Sequence, residues 1–264
     1  MSEEPIVLCA REGGIARVTM NRPQLHNAFD EALIAALAAT FQALAEDEAV
    51  RAVVLAGAGR SFSAGADLNW MKRAAAYDEE QNRADARNLE LMLRAIDDCP
   101  RPVVAIVQGA AIGGGMGLVA ACDIAIAGEA AQFATSEVRL GIVPAVISPF
   151  VVRAIGPREA RRWFLTAERF GAEEARRIGL VHEVVPAEKL EARVGEIVGE
   201  ILKGGPAALA SAKQLVRLVE MMPQGGSILA EATVGMIAER RASPEGKEGI
   251  AAFLEKRRPG WIAG

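Results

Sequence analysis

Apolar positions recur along this chain with two alternating periods. Residues 5–10 and 15–20 are short apolar runs parted by Glu12-Gly13-Gly14, a break that predicts a hairpin, and Asn21-Arg22-Pro23 ends it. From about Asp30 to Ala45 the spacing becomes helical, with Leu33, Ile34, Leu37, Phe41 and Leu44 on one stripe. Residues 52–56 (AVVLA) return to the continuous apolar run of a buried strand, which Gly57, Gly59, Ser61, Ser63 and Gly65 break into a loop. A helix over 79–97, with Leu89, Leu93 and Ile96 inward, is stopped by Pro100 and Pro102. A buried strand over 103–107, a glycine-rich turn, a helix over 115–122 and strands near 123–127 and 131–134 follow. Strand, turn and helix thus recur three times, which predicts an α/β architecture of stacked units.

After Pro144 the period is helical, with helices near 145–155, 157–166, 172–178, 187–203, 206–221, 226–241 and 244–256 and one short strand over 182–185. Pro186 and Gly204-Gly205-Pro206 are boundaries. The chain therefore divides into a core over residues 1–203 and a helical segment over 204–264. The tail helices carry more Ala, Leu, Ile and Met than a short helical tail needs, which suits either a subunit interface or burial within the chain.

Composition narrows the partners. The 264 residues are 51% hydrophobic and 24% charged, with a formal net charge of −4, so nucleic acid is not the expected main partner. Cys9, Cys99 and Cys122 form no C-x-x-C, and reduced thiols in a cytoplasmic protein are expected. His26 and His182 are too few for a histidine-rich metal site, and no metal is expected. The start, MSEEPIVLC, lacks a basic segment leading into an apolar one, so no signal peptide is expected. No apolar run reaches about 18 residues, so no membrane span is expected either.

Four segments carry candidate chemistry. In Phe62-Ser63-Ala64-Gly65-Ala66-Asp67-Leu68, Asp67 is a natural helix cap, and the alternative is a backbone N–H at Ala66 pointing into a cleft. In Ile112-Gly113-Gly114-Gly115-Met116-Gly117, no G-x-G-x-x-G and no G-K-[ST] occurs, so a phosphate loop is disfavoured. Close strand–helix packing remains, or a second amide donor at the helix start, where the dipole favours negative charge. Two amides from two loops form an oxyanion hole, able to hold the enolate of a thioester. Glu137, in TSEVRLG, follows a strand; beside an apolar acyl chain a carboxylate of raised pKa can move a proton. Position 117 is Gly, so the helix offers no carboxylate of its own. In the tail run AAFLEKRRPGW at 251–261, Lys256, Arg257 and Arg258 are either a solvated helix end or an attractor of a phosphorylated ligand, with Phe253 as an apolar face. No G-x-S-x-G is present.

Taken together, NRPQLHNAF at 21–29, FSAGADL at 62–68, VQGAAIGGGMGLVAACDIAIA at 107–127, TSEVRLGIVP at 135–144, LTAERFGAEEARRIGLVHEVV at 165–185, PAALASAKQLV at 206–216 and GIAAFLEKRRPGW at 249–261 resemble the enoyl-CoA hydratase/isomerase (crotonase) superfamily over nearly the whole chain. The resemblance implies a crotonase-like (ClpP/crotonase) spiral of stacked ββα units with a C-terminal helical trimerisation region, assembled as a homotrimer or dimer of trimers. It implies an acyl-CoA thioester substrate with no separate cofactor, since coenzyme A is part of the substrate. Ala66 and Gly114 match the oxyanion amides, and Glu137 matches a catalytic glutamate. His26, Ala28, Ala64, Asp67 and Leu68 match CoA contacts, and Gly117 falls at the acyl group. Ala145 matches a backbone position that can hold the attacking water. Phe253 and Lys256 match positions that reach CoA, often from a neighbouring subunit.

Two departures stand out. The usual hydratase has a second glutamate where this chain has Gly117, and the usual glycine-rich segment after the proline is Pro144-Ala145-Val146-Ile147-Ser148-Pro149-Phe150. Both features are similar to bacterial methylglutaconyl-CoA hydratases and their carboxygeranoyl-CoA relatives. The expectation is hydration of a branched enoyl-CoA such as 3-methylglutaconyl-CoA through Glu137. The alternatives are an enoyl-CoA isomerase working with a single glutamate, and a non-catalytic binder of CoA esters or RNA, the net charge speaking against RNA.

Overall fold

The computed structural model describes residues 4–222 and 225–262. Strands β1 (Val7–Glu12) and β2 (Ile15–Met20) form the hairpin, in register from Val7 opposite Met20 to Glu12 opposite Ile15. The first strand runs two residues later than its apolar content alone suggests, because this register makes Gly13-Gly14 the whole turn. After a single 3-10 turn at Pro23–Leu25 comes α1 (Glu31–Glu46), started by Asp30, whose side chain accepts the Leu33 N–H. Its buried stripe is the predicted one: Leu33, Ile34, Leu37, Phe41 and Leu44. Then follow β3 (Ala52–Gly57), α2 (Leu68–Ala74), α3 (Glu79–Asp97), β4 (Val103–Val107), β5 (Ala110–Ile112), α4 (Gly114–Ala121), β6 (Ile124–Gly128) and β7 (Gln132–Ala134). A 3-10 turn at Glu137–Leu140 leads to α5 (Ser148–Thr166), β8 (Phe170–Gly171), α6 (Ala172–Arg177), β9 (Glu183–Val185), α7 (Leu190–Ile201), α8 (Pro206–Met221), α9 (Gly226–Ala242) and α10 (Pro244–Leu254).

The strands sort into two sheets. One runs β1-β2-β3-β4-β6-β9, parallel from β2 onward, and the other runs β5-β7-β8. Consecutive strands β4 and β5 go to different sheets, then α4 carries the chain back, and β6 and β7 repeat the step. That is the spiral of ββα turns. The large sheet is covered on both faces, which is why β4 reads as five successive buried apolar residues. Phe41, Met92, Leu93 and Met116 pack on one side, and Leu190, Val194 and Val198 pack against Val54, Val104 and Ile126 on the other.

Strands β5 and β8, three and two residues long, have no counterpart in the predicted elements, being too short to show a period. The helices expected over 145–155 and 157–166 form α5, which starts at Ser148 and breaks at Gly156, where φ is 75° and ψ is 159°. Residues 187–203 begin with a 3-10 turn, Ala187–Lys189, before α7. Helices α8 and α9 bury no residue and α10 buries only Ala252. The tail is nonetheless tied to the core: Lys213 Nζ lies 2.6 Å from Asp123 Oδ2 and donates to the Cys99 carbonyl at 2.7 Å. Arg51 donates to the carbonyls of Leu202, Gly204 and Trp261. Among the described residues no helix is long and apolar enough to cross a membrane.

Candidate active site

The loop after β3 is held by a small set of buried polar groups. Asn27 is fully buried and sits at φ 53°, in the left-handed region that Asn tolerates. Its Oδ1 accepts the Arg22 N–H at 2.9 Å, and its Nδ2 donates to the carbonyls of Ala58 and Ser61, each at 2.9 Å. The buried Ser63 hydroxyl donates to the Asn27 carbonyl at 2.9 Å and accepts the Gly65 N–H at 3.3 Å. Arg22 donates to the Ala28 carbonyl at 2.8 Å and pairs with Asp30 at 2.9 Å, with Asp67 3.8 Å away. Asp67 caps α2, accepting the Asn69 and Trp70 N–H groups at 2.8 and 3.1 Å. None of Arg22, Asn27 and Ser63 stands out in the sequence by residue type; their only signal is that two loops of polar residues must satisfy one another when buried.

This network leaves the Ala66 N–H unused. Phe29 and Ala66 form a parallel bridge in which Phe29 N–H donates to the Gly65 carbonyl at 2.6 Å and Asp67 N–H donates to the Phe29 carbonyl at 2.8 Å. The bonds of such a bridge come from the residues flanking Ala66, so the Ala66 N–H faces away from it. A second bridge joins Ser63 to Ala111, with Ile112 N–H donating to the Ser63 carbonyl at 3.0 Å. The two loops come so close that a Cβ on Gly65 would stand 2.7 Å from the Ile112 carbonyl oxygen and 3.9 Å from the Gly113 Cα. Gly113, at φ 52°, donates to the Ala134 carbonyl at 2.8 Å and turns the chain into α4. Among the described residues no acceptor takes the N–H of Ala66 or Gly114. They are two open donors on adjoining loops, and the N–H groups of Gly115 and Met116 in the first turn of α4 are open as well.

Glu137 lies against Gly113, the residue before α4. Its Oε1 lies 3.1 Å from where a Cβ on Gly113 would be, and its Oε2 is buried with no hydrogen-bond partner. Burial pushes its pKa above the ordinary carboxylate value, a bond from its own backbone N–H pulls it part of the way back, and no neighbouring charge contributes. A partly buried acid with one free oxygen is suited to give and take a proton.

The remaining residues singled out in the sequence fall as follows. The Ala64 N–H is bound to the His26 carbonyl at 2.9 Å. His26 Nδ1 lies 3.0 Å from the Ser61 hydroxyl, Ala28 is buried beneath the same loop, and Leu68 is 74% exposed. Ala145 is exposed, but its N–H donates to the Val143 carbonyl at 2.8 Å and its carbonyl accepts both the N–H and the hydroxyl of Ser148, so no N–H at Ala145 is left for a water. Phe253 and Lys256 are exposed at the end of α10. Gly117 is buried, and its open face is covered by Ile147. Among the described residues no group of three or more His, Cys, Asp or Glu side chains is placed to hold a metal.

A sequence-family model described as enoyl-CoA hydratase/isomerase matches residues 10–263. A crystal structure of an enoyl-CoA hydratase from Shewanella pealeana superposes with a TM-score of 0.93 at 41% identity, covering 98% of this chain and 97% of that one. The AtuE structure from Pseudomonas aeruginosa also superposes with a TM-score of 0.93 at 41% identity, covering 98% of this chain and all (100%) of that one. The crotonyl-CoA hydratase of Syntrophomonas wolfei is 34% identical over 267 residues, covering 100% of both chains.

Proposed function

The chain belongs to the enoyl-CoA hydratase/isomerase family, and on that premise we propose that it is a hydratase adding water across the 2,3 double bond of an enoyl-CoA, with a branched acyl group such as that of 3-methylglutaconyl-CoA as substrate. The observation that carries this reading is the Glu137 carboxylate, with one oxygen unpaired, lying against Gly113 at the start of α4, where the loop of Ala66 also meets the chain. In this mechanism the thioester carbonyl accepts both N–H groups, which tighten as C3 is attacked and negative charge moves onto the oxygen. Each such donor contributes about 3 kcal/mol to the transition state. Glu137, charged at the start, takes a proton from water as the water attacks C3 and returns a proton to C2. One carboxylate then serves as base and acid in turn, and its raised pKa brings it nearer the working pH for both steps.

The CoA moiety lies along the rim made by His26, Ala28, Ala64, Asp67 and Leu68. Phe253 and Lys256 reach it from a neighbouring subunit of a trimer or dimer of trimers. The apolar exposure of the tail supports such an assembly: Met221, Ile228, Phe253 and Leu254 are each at least 70% exposed in the single chain. The experiment is a panel of CoA thioesters with product analysis in water enriched in heavy oxygen. Label in the 3-hydroxyacyl product of 3-methylglutaconyl-CoA is expected; no turnover of that ester or of crotonyl-CoA would overturn the reading. Gly117 favours one second reading, a 1,3 proton shift of a 3-enoyl-CoA, because a single base suffices for it; conversion without label would select it.

A further inference from the structure

Gly117 stands one helical turn beyond Gly113, the residue against which the Glu137 carboxylate lies. Gly113 and Gly117 thus meet the two ends of the stretch that runs from Glu137 to Ile147. The space that a side chain at 117 needs is already filled. A Cβ on Gly117 would be 2.9 Å from the Ile147 Cβ, closer still to its Cγ2, and 3.8 Å from its Cα. Turning Ile147 about χ1 cannot relieve this, since that rotation leaves its Cβ where it is. Nor is the backbone free to retreat. Ile147 is only 3% exposed, its carbonyl accepts the Val151 N–H at 3.0 Å as the first bond of α5, and Phe150 and Val151 are buried in the core.

We propose that Gly117 and Ile147 are an interlocked pair and that Ile147 is a specificity-determining residue. It keeps every side chain out of position 117 and so leaves hydrocarbon, and no second carboxylate, on this side of α4. This rests on the hydratase reading above and gives its branched substrate a physical cause: hydrocarbon from Ile147 tolerates a carbon branch at C3, whereas linear enoyl groups are hydrated with two carboxylates.

The test is a double-mutant cycle of Gly117→Glu and Ile147→Gly, read by thermal unfolding and by the ratio of 3-methylglutaconyl-CoA to crotonyl-CoA turnover. Gly117→Glu alone is expected to lower Tm by about 5–10 °C, as an overpacked and newly charged core position does. Adding Ile147→Gly is expected to restore at least half of that loss. Where the glutamate variant does not fold, Gly117→Ala replaces it, with rescue expected from Ile147→Gly and not from Ile147→Val, which keeps both offending atoms. In the rescued glutamate variant the turnover ratio is expected to move roughly tenfold toward the linear ester, about the 1.4 kcal/mol of a tenfold change. An unchanged Tm in Gly117→Glu, or Tm changes that simply add, overturns the interlock. An unchanged ratio in the rescued variant overturns the specificity role. If the unmodified chain turns over no CoA thioester, the hydratase reading and the substrate class built on it fail together, while the Tm arm still decides the packing.

Discussion

The two sides of the candidate site are built by opposite rules. On one side, Arg22, Asn27, Ser63 and Asp67 make a closed set of bonds to backbone groups of two loops. On the other, the Glu137 carboxylate is pressed into the protein with one oxygen unpaired. The first side lowers the energy of the fold; the second raises it. The difference separates positioning from reactivity: the loop that carries the Ala66 N–H is held by groups whose bonds are made, while the proposed proton carrier keeps one oxygen without a partner.

The largest expected effect breaks the reactive side. Glu137→Gln should lower turnover about 10²–10⁴-fold while leaving Tm unchanged or higher, since a neutral amide is easier to bury. Steady-state kinetics with thermal unfolding checks both, and retained turnover would remove Glu137 from the mechanism.

Next comes the scaffold. Asn27→Ala strips partners from the Arg22 N–H and from the Ala58 and Ser61 carbonyls and puts Ala at φ 53°. It should cost about 2–4 kcal/mol of stability in urea unfolding, with activity falling only as the folded fraction does. A loss of kcat in fully folded protein would show that this side does more than position.

A smaller effect is expected for Asp67→Ala, which loses the cap of α2: about 1 kcal/mol, with the reach of α2 toward Arg22 also relaxed.

The smallest is a pH effect. Because the folded pKa of Glu137 is raised, the folded state binds more protons than the unfolded one, so stability falls as pH rises from the ordinary value of 4.5 through the raised one. Asp123, also raised by burial, adds to the same trend, partly offset by Lys213. The fall should be shallower in Glu137→Gln; an identical profile would mean that the carboxylate is not desolvated in solution.

The same contrast governs what could be read from the chain before its structure. Helix α3 was legible to its boundaries because its stripe, its acidic start and the prolines beyond it are all local, and the capping box of Asp78 with Gln81 fixes its first residue. The close approach of the loops at Gly65 and Ile112 was legible because only small residues let two backbones come so near; which amide at the start of α4 serves as a donor was named by the resemblance alone. Asn27 was not, since its partners at 22, 58 and 61 are scattered and each is a backbone group whose residue identity says nothing. Gly117 read as a missing carboxylate. That the vacancy is filled is written thirty residues later in Ile147, and only the packing of α4 against the start of α5 connects the two.

The fit between Gly117 and Ile147 also makes history directional. A chain that first trades Ile147 for a smaller residue acquires a void, which costs a few kcal/mol but leaves a folded protein. A chain that first acquires a carboxylate at 117 meets Ile147 at once and has no void to place it in. Of the two orders in which a one-carboxylate site can be converted to a two-carboxylate one, the first carries its cost as an empty space that the next substitution fills, and the second as an overlap that only a change at Ile147 removes.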